Sequence, residues 1–407
     1  MPLPPAPPTY VFALGLALSG VLVVAASRLR SRMFARFRAV LWTILGLCAW
    51  GMYSHARHAD PRLGWGFIGL HGIALVGSLA LVRPRMKPLP YRWLISWPEA
   101  WYGAGTLLSF PLAIGAAFGW HPGWWWIGYA FAAVGLGQAL TSRRRDVDLV
   151  VGDVPSVEPL GRHPHGDHRI DRPLRIAQIT DPHLGPFMSQ ARLRRIVTRA
   201  VARAPDLILL TGDFLTMESQ SDPSVLKGAL EPMRDFSGPV VACFGNHDHE
   251  APDTVKAALA HVGAVLLIDD AQTFDTDVGP VQIVGADFRW RDREAHLQRL
   301  LEAHPRRAGH LRILLLHDPG AFRHVPAGEA DLVLSGHTHG GQVGLVSLGL
   351  PGTAVSLFTR SPDHGFWAQY DNRLYVHRGT GHYGFPIRLG VPAEEGLIRV
   401  HVATTAA

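Results

Sequence analysis

Only two cysteines occur in the 407 residues, Cys48 and Cys243, and each lies in an apolar run, LGLCAWG and PVVACFG. That leaves nothing for a disulfide framework and suits a chain kept in a reducing compartment. Charged side chains are also scarce, at 18%, and no basic helix interleaved with aromatics appears. A nucleic-acid partner is therefore not expected, and the formal charge of +6 is better matched to anionic membrane lipid. The opening MPLPPAPPT carries no charge, which excludes the basic n-region of a secretory signal peptide. Two further absences narrow the chemistry: there is no GxxxxGK[ST] phosphate loop and no GxSxG nucleophile elbow. No internal repeat is evident.

What is abundant is uneven. Apolar residues crowd into the first 140 positions as Tyr10–Ser27, Ala39–Ser54, Leu63–Val82, Trp101–Gly119 and Trp124–Leu140. Most approach the roughly 20 residues a helix needs to cross a hydrocarbon core, the second and fifth being short. None has the polar stripe of a soluble amphipathic helix, so about five transmembrane spans are expected. Basic residues alternate between the intervening loops. They are absent from the N-terminal tail, plentiful at Arg28, Arg30, Arg32, Arg36 and Arg38, sparse at Arg57 and Arg62, and plentiful again at Arg83, Arg85, Lys87 and Arg92. The loop WHPG has none, and Arg143, Arg144 and Arg145 follow. Positive charge stays inside, which places the N-terminus outside and everything after Leu140 in the cytoplasm of a bacterial inner membrane. Tryptophans 93, 97, 101, 120, 124, 125 and 126 sit near the expected span ends. His71, within the third span, reads as a packed neutral histidine because no acidic partner is visible in these runs.

This gives three expected parts: a multi-span transmembrane domain over 1–142, a linker over 143–172 and a catalytic domain over 173–403. The linker is rich in proline, glycine and histidine, and His163, His165 and His168 read as part of a solvated connector rather than a metal site. Beyond it, short aliphatic runs alternate with amphipathic stretches, and the second half is rich in strands. That order indicates an α/β fold.

The informative feature is how the aliphatic runs end. LRIAQIT stops at Asp181-Pro182-His183, DLILLTG at Asp213, and VVACFG at Asn246-His247-Asp248; RILLLH delivers His317, and DLVLSG delivers His337-Thr338-His339. Ligands of open α/β sheets bind beyond the carboxyl ends of the strands, so all five ends are expected on one rim. His337 and His339 are two apart and would face one cavity if their segment stayed extended. Taken singly, Asp213 reads as a helix cap, His317 as a satisfied strand-end histidine and Asn-His-Asp as a turn. Taken in order, each directly after a strand, they read as ligands. Carboxylate, amide and imidazole without thiolate suit Mn, Fe or Zn, and there are more donors than one ion can use. Two ions about 4 Å apart, sharing one carboxylate, would use them all.

The ordered set ITDPHLG, LLTGDF, FGNHD, LLLHDP and LSGHTHGGQ resembles the motifs of the calcineurin-like metallophosphoesterases. The resemblance implies a four-layer α/β/β/α sandwich and a cofactor of two divalent metal ions. One ion would take Asp181, His183, Asp213 and His339; the other would take Asp213, Asn246, His317 and His337. His247 matches the family's non-ligand histidine beside the scissile phosphate, with Asp248 expected to orient it. The tail YVHRGTGHYGFPIRLGVPAEEGLIRV is similar to membrane-associated bacterial members, the group that includes YkuE-like and YaeI-like phosphodiesterases and LpxG-type UDP-2,3-diacylglucosamine pyrophosphatases. That group commonly shows GLGT where this chain has GTGH, Gly379 to His382.

The expected activity is hydrolysis of a phosphodiester or pyrophosphate by water activated between the two ions, with His247 at the leaving oxygen. Five spans give a reason for a lipid-linked substrate, and membrane lipid is the expected partner. The segment LGLPGTAVSLF, Leu348 to Phe358, would either touch acyl chains beside the metals or form a buried hairpin. The competing readings are a phosphomonoesterase for soluble substrates and a transporter or scaffold with a sensor domain. The spans carry few polar groups for a conduction path, which favours an enzyme.

Overall fold

The computed structural model describes residues 9–152, 156–162 and 172–403. The chain divides into two compact units, Met1–Gly137 with Phe385–Ile387, and Gln138–Gly384 with Arg388–Ala407.

The first unit is helical: α1 (Thr9–Arg28), α2 (Arg32–Ala59), α3 (Leu63–Ala80), α4 (Trp97–Leu108), α5 (Phe110–Ala117) and α6 (Ile127–Ala139). Ser31 caps α2 by accepting from Phe34 N–H at 3.0 Å. Among the described residues three helices, α1 to α3, are long and apolar enough to cross a membrane, not the five expected. The fourth run is broken at Ser109, whose hydroxyl turns back to Gly105 O at 2.7 Å, and Pro111 just after it has no N–H to carry a helix through. The fifth run forms a helix of only 13 residues. The second expected run proves to be the middle of a 28-residue helix. The interior of this unit gathers Phe12, Trp42, Met52, Tyr53, Phe67 and Tyr102. His71 is buried there, with Nε2 2.8 Å from Ser19 Oγ and Nδ1 3.4 Å from Tyr102 Oη.

The second unit holds two sheets. Its strands are β1 (Ser142–Gly152), β2 (Val157–Arg162), β3 (Leu174–Ile179), β4 (Leu207–Leu210), β5 (Val240–Ala242), β6 (Val265–Leu266), β7 (Asp270–Thr276), β8 (Gly279–Ala286), β9 (Leu311–Leu316), β10 (Leu332–Ser335), β11 (Gly365–Tyr370), β12 (Asn372–Val376) and β13 (Ala393–Ala403). One sheet has the order β1-β13-β3-β4-β5-β6 and the other β2-β11-β12-β10-β9-β8-β7.

Side-chain alternation explains how they pack. In β9, Ile313 and Leu315 enter a core shared with Ile176, Leu209 and Val241 of the other sheet, while Leu314 and Leu316 join Leu297 and Leu300 of the helix Arg293–Ala303. Successive strand residues face opposite sides, so a strand buried on both faces must be aliphatic throughout. The fold is therefore a mixed α/β sandwich with its two sheets face to face.

The stretch 143–172, expected to be a linker, instead contributes β1 and β2. The sequence DVDLVV alternates, sending Val147, Leu149 and Val151 into the core. On its other face Asp148 receives Arg399 Nε at 2.9 Å and Nη2 at 2.8 Å from β13, its parallel neighbour. Proline and glycine nearby masked that pattern. His163, His165 and His168 lie outside the described residues.

Candidate metal centre

The first sheet delivers Asp181 and His183 after β3, Asp213 after β4 and Asn246 after β5. The second delivers His317 after β9 and His337 and His339 after β10. The rim is thus formed where two sheets meet, rather than along one. Asp181, His183 and His339 make one cluster of donor atoms, and Asp213, His317 and His337 make another. Within the first, His339 Nε2 lies 3.4 Å from Asp181 Oδ1 and 3.2 Å from His183 Nε2. Asp213 Oδ2 lies 3.2 Å from His317 Nε2 and 3.5 Å from His183 Nε2, so it sits between the clusters.

The backbone is bent to achieve this. Asp181, His183, Asp213, His337 and His339 all have positive φ, from 45° to 65°, the left-handed region that is uncommon outside glycine and in which asparagine, aspartate and histidine are the most frequent exceptions. Strain of this kind costs on the order of 1–3 kcal/mol per residue and persists where the surrounding structure over-determines it. It also corrects the expectation for His337 and His339. Their segment is a tight turn, not the extended pair that spacing alone offers, and the two imidazoles join the separate clusters that the family resemblance implies. Two glycines allow the loops to close in. A Cβ on Gly336 would stand 2.1 Å from Asp181 Oδ2, and one on Gly245 would stand 2.2 Å from Asp213 Oδ1.

His247 and Asp248 do not act as the expected pair. Both oxygens of Asp248 go to backbone donors: it accepts from Asp213 N at 2.7 Å, Phe214 N at 2.9 Å and Gly245 N at 2.8 Å. It braces the two loops that carry Asp213 and Asn246. The ring partner of His247 is Glu250, two residues beyond the expected motif, with Oε1 2.8 Å from Nδ1.

Electrostatics fit a cationic occupant. Burial lowers the pKa of His183 to about 3 and of His337 to about 4, and takes His339 well below the ordinary value. All three are therefore neutral with a lone pair available. His317 departs from this: burial opposes its charge, but Asp213 and Asp181 overcome it and raise it to about 10. A proton on His317 and a metal ion are alternative positive charges for the same acidic pocket. Asp213 is pulled well below the carboxylate range, because His317 and His183 outweigh its burial. Asp181 is pushed up to about 6 by burial, with Asp213 adding to it. Asn246 Oδ1 is buried without a hydrogen-bond partner among the described residues. An orphaned carbonyl oxygen beside this donor set fits a hard or borderline cation.

The tail of the chain closes over the centre. Thr380 N donates to Thr180 O at 2.8 Å and Gly381 N to Asp181 O at 3.0 Å, which docks GTGH against the first metal loop. Arg388, fully buried, donates to the carbonyls of Gly381, His339 and Val391. Tyr383 lays its ring 4.3 Å from that of His247 and 4.9 Å from that of His183. Beside Asn246 opens a cavity of about 630 Å³ lined by His249, Phe288, Trp290, Arg291 and Arg299. Glu250, Arg388, Tyr383 and Trp290 were not anticipated from the sequence. The tyrosine and arginine lay in the quoted tail motif, but nothing in their spacing marks them.

Both donor clusters lie within residues 174–341, and those residues match the family model for the calcineurin-like phosphoesterases. This segment is a calcineurin-like metallophosphoesterase domain. Relatives of that domain include an uncharacterized metallophosphoesterase of Campylobacter jejuni, 26% identical over 235 residues, covering 55% of this chain and 58% of that protein. Phosphodiesterase YaeI of Escherichia coli is 27% identical over 220 residues, 51% of this chain and 76% of its own length. A Danio rerio protein described as a transmembrane protein with metallophosphoesterase domain is 28% identical over 237 residues, 54% of this chain and 52% of that one. The chain thus spans between about half and three quarters of these relatives.

Proposed function

We propose that the chain is a membrane-anchored, two-metal phosphohydrolase that cleaves a phosphodiester or pyrophosphate bond of a lipid-linked substrate. The observation that carries the reading is the position of Asp213 Oδ2, within 3.2 to 3.5 Å of one imidazole from each donor cluster. A carboxylate so placed can bridge two cations. In this reading Asp181, His183 and His339 hold one ion, Asn246, His317 and His337 hold the other, and Asp213 is shared. The four-layer sandwich expected for the family goes with the same reading.

Divalent ions at these positions supply positive charge to a phosphoryl group and acidify a bound water. The protein's own groups do the rest. His247, held by Glu250, stands at the leaving oxygen as the proton donor. Asn246 contributes a neutral oxygen, which limits the negative charge facing an anionic substrate. Asp248 fixes the Asp213 and Gly245 backbones through three hydrogen bonds, so the shared carboxylate is positioned before substrate arrives. The cavity beside Asn246 has room for a headgroup, and Arg291 and Arg299 line it.

Support for a lipid-linked substrate comes from the segment that follows GHTHGGQ. Leu348, Leu350, Leu357 and Phe358 are 75%, 53%, 80% and 86% exposed, which removes the buried-hairpin alternative. Exposed apolar side chains on one short segment mark an interaction surface, and this one begins a few residues from His339. The three apolar helices supply the anchor. Three spans and five are both odd, so the arginine-rich loops favour a cytoplasmic catalytic unit with either count.

The test uses full-length protein in detergent, stripped of metal and reloaded separately with Mn, Zn and Mg. It is assayed on one phosphodiester in acylated and deacylated forms. Metal-dependent hydrolysis that favours the acylated form is expected. No hydrolysis with any ion would overturn the reading, and equal rates on both forms would remove its lipid part.

A further inference from the structure

A second histidine cluster lies far along the sequence from the phosphoesterase motifs, at the C-terminal end of α2. We propose that His55, His58 and His121 form a zinc-type divalent-metal site in the helical unit. His55 is 1% exposed, and its Nε2 lies 2.8 Å from the carbonyl of Leu112. A carbonyl only accepts, so Nε2 carries the proton and Nδ1 keeps the lone pair. That is the arrangement by which a metal-binding histidine is oriented from behind. Facing it, His121 Nδ1 lies 3.0 Å from His55 Nδ1. Two nitrogens bound to one zinc at about 2.05 Å with tetrahedral angles stand roughly 3.3 Å apart, so a shift of a few tenths of an ångström accommodates the ion.

His58 supplies the third nitrogen. It is three residues beyond His55, on the same face of α2, and its ring lies over that of His121 with centroids 4.5 Å apart at 15°. It is exposed, so its ring is free to turn from stacking into coordination. The loop that presents His121 is held by aromatics: Trp120 N donates to Gly115 O at 3.0 Å, and its ring packs edge-on against Trp124 at 5.6 Å. Three imidazoles with no thiolate or carboxylate suit zinc or copper rather than magnesium or calcium. The fourth position is left to water or a further ligand. Nothing in the phosphoesterase reading uses these residues.

The experiment counts zinc per chain in full-length protein in detergent, after chelation, reloading with zinc and removal of the excess. Wild type is compared with His121→Ala and His58→Ala, and phosphoesterase activity is measured on each. The proposal expects His121→Ala to hold one zinc fewer than wild type at unchanged activity. His58→Ala should release that same zinc at a chelator concentration at least about tenfold lower. Cobalt loading gives a second readout, since a tetrahedral ion lost in His121→Ala removes its visible absorption. Equal zinc content in wild type and His121→Ala would overturn the site and leave the 3.0 Å contact as an ordinary imidazole hydrogen bond. An unaltered release from His58→Ala would overturn the three-histidine assignment.

Discussion

Gln342 holds the backbone of Tyr383 with both ends of its amide. Its Oε1 accepts from Tyr383 N–H at 2.8 Å, and its Nε2 donates to Tyr383 O at 3.1 Å. Gln342 ends the GHTHGGQ motif, so the loop carrying His337 and His339 also fixes the tyrosine that lies against His247 and His183. Tyr383 is 47% exposed, with a phenol edge open to substrate.

The first prediction follows from that clamp. Tyr383→Ala is expected to lower kcat/KM by about tenfold through substrate placement, with metal content unchanged. Gln342→Ala should act in the same direction and more weakly, because it frees the tyrosine without deleting it. Steady-state kinetics together with metal analysis check both. Loss of metal in Tyr383→Ala would show that the ring supports the ligands instead.

His247 yields the second. Its ring is held by Glu250 outside the two donor clusters, so His247→Ala should keep both ions and lose roughly 10²- to 10⁴-fold in rate. A substrate with a leaving group that needs no proton should recover most of the loss. Comparing phosphodiesters of good and poor leaving groups is the decisive assay.

Much of this centre was legible because each of the gathered donor residues lies close behind an aliphatic strand, and strand ends are where such folds place ligands. Asp181, His183, Asp213, His317, His337 and His339 stand at strand ends that the sequence shows, whereas choosing Asn246 over its neighbours His247 and Asp248 took the family resemblance. What could not be read was conformation. His337 and His339 look like an extended pair, and only the left-handed backbone at both residues separates them. Glu250 was missed because its partnership with His247 runs across a short helical turn, and Asp248 stood closer in sequence. The strand Ser142–Gly152 was missed because it pairs with β13, about 250 residues away, and no local signal reports so distant a partner. Ser109 shows the opposite case: a polar residue followed closely by proline was visible, yet the apolar composition around it read as one continuous span.

Acid stability gives the third prediction. Glu394 is buried with Arg378 Nε 2.8 Å away and the Tyr375 hydroxyl donating to it. Burial alone would raise its pKa, but His377, Arg378 and Arg145 reverse this and lower it to about 2. Because the folded value lies below the unfolded one, near 4.3, the ionised form stabilises the fold above that pH. The contribution falls away as pH drops from about 4.3 to about 2. Glu394→Gln leaves Arg378 buried and unpaired, and should cost about 3–5 kcal/mol near neutrality. It should also make thermal stability less steep across this acid window. Melting curves of both proteins from pH 6 downward are the measurement.

The exposed apolar segment supplies the fourth. Leu357→Asp with Phe358→Asp should leave hydrolysis of a deacylated substrate within about twofold, since both side chains point to solvent and carry little packing. Turnover of the acylated substrate should fall by about tenfold or more. A parallel loss on both substrates would assign the segment to the stability of the metal loop.

The central claim is that Asp213 joins two metal ions into one catalytic centre, and the direct measurement is metal content beside activity for Asp213→Asn. Full-length wild type and variant are stripped, reloaded with Mn and freed of excess, then analysed for bound metal and for phosphodiester hydrolysis. The account predicts that losing one carboxylate charge weakens both sites together and abolishes turnover. Asp213→Asn protein that keeps two ions per chain and turns over at a near-normal rate would contradict it.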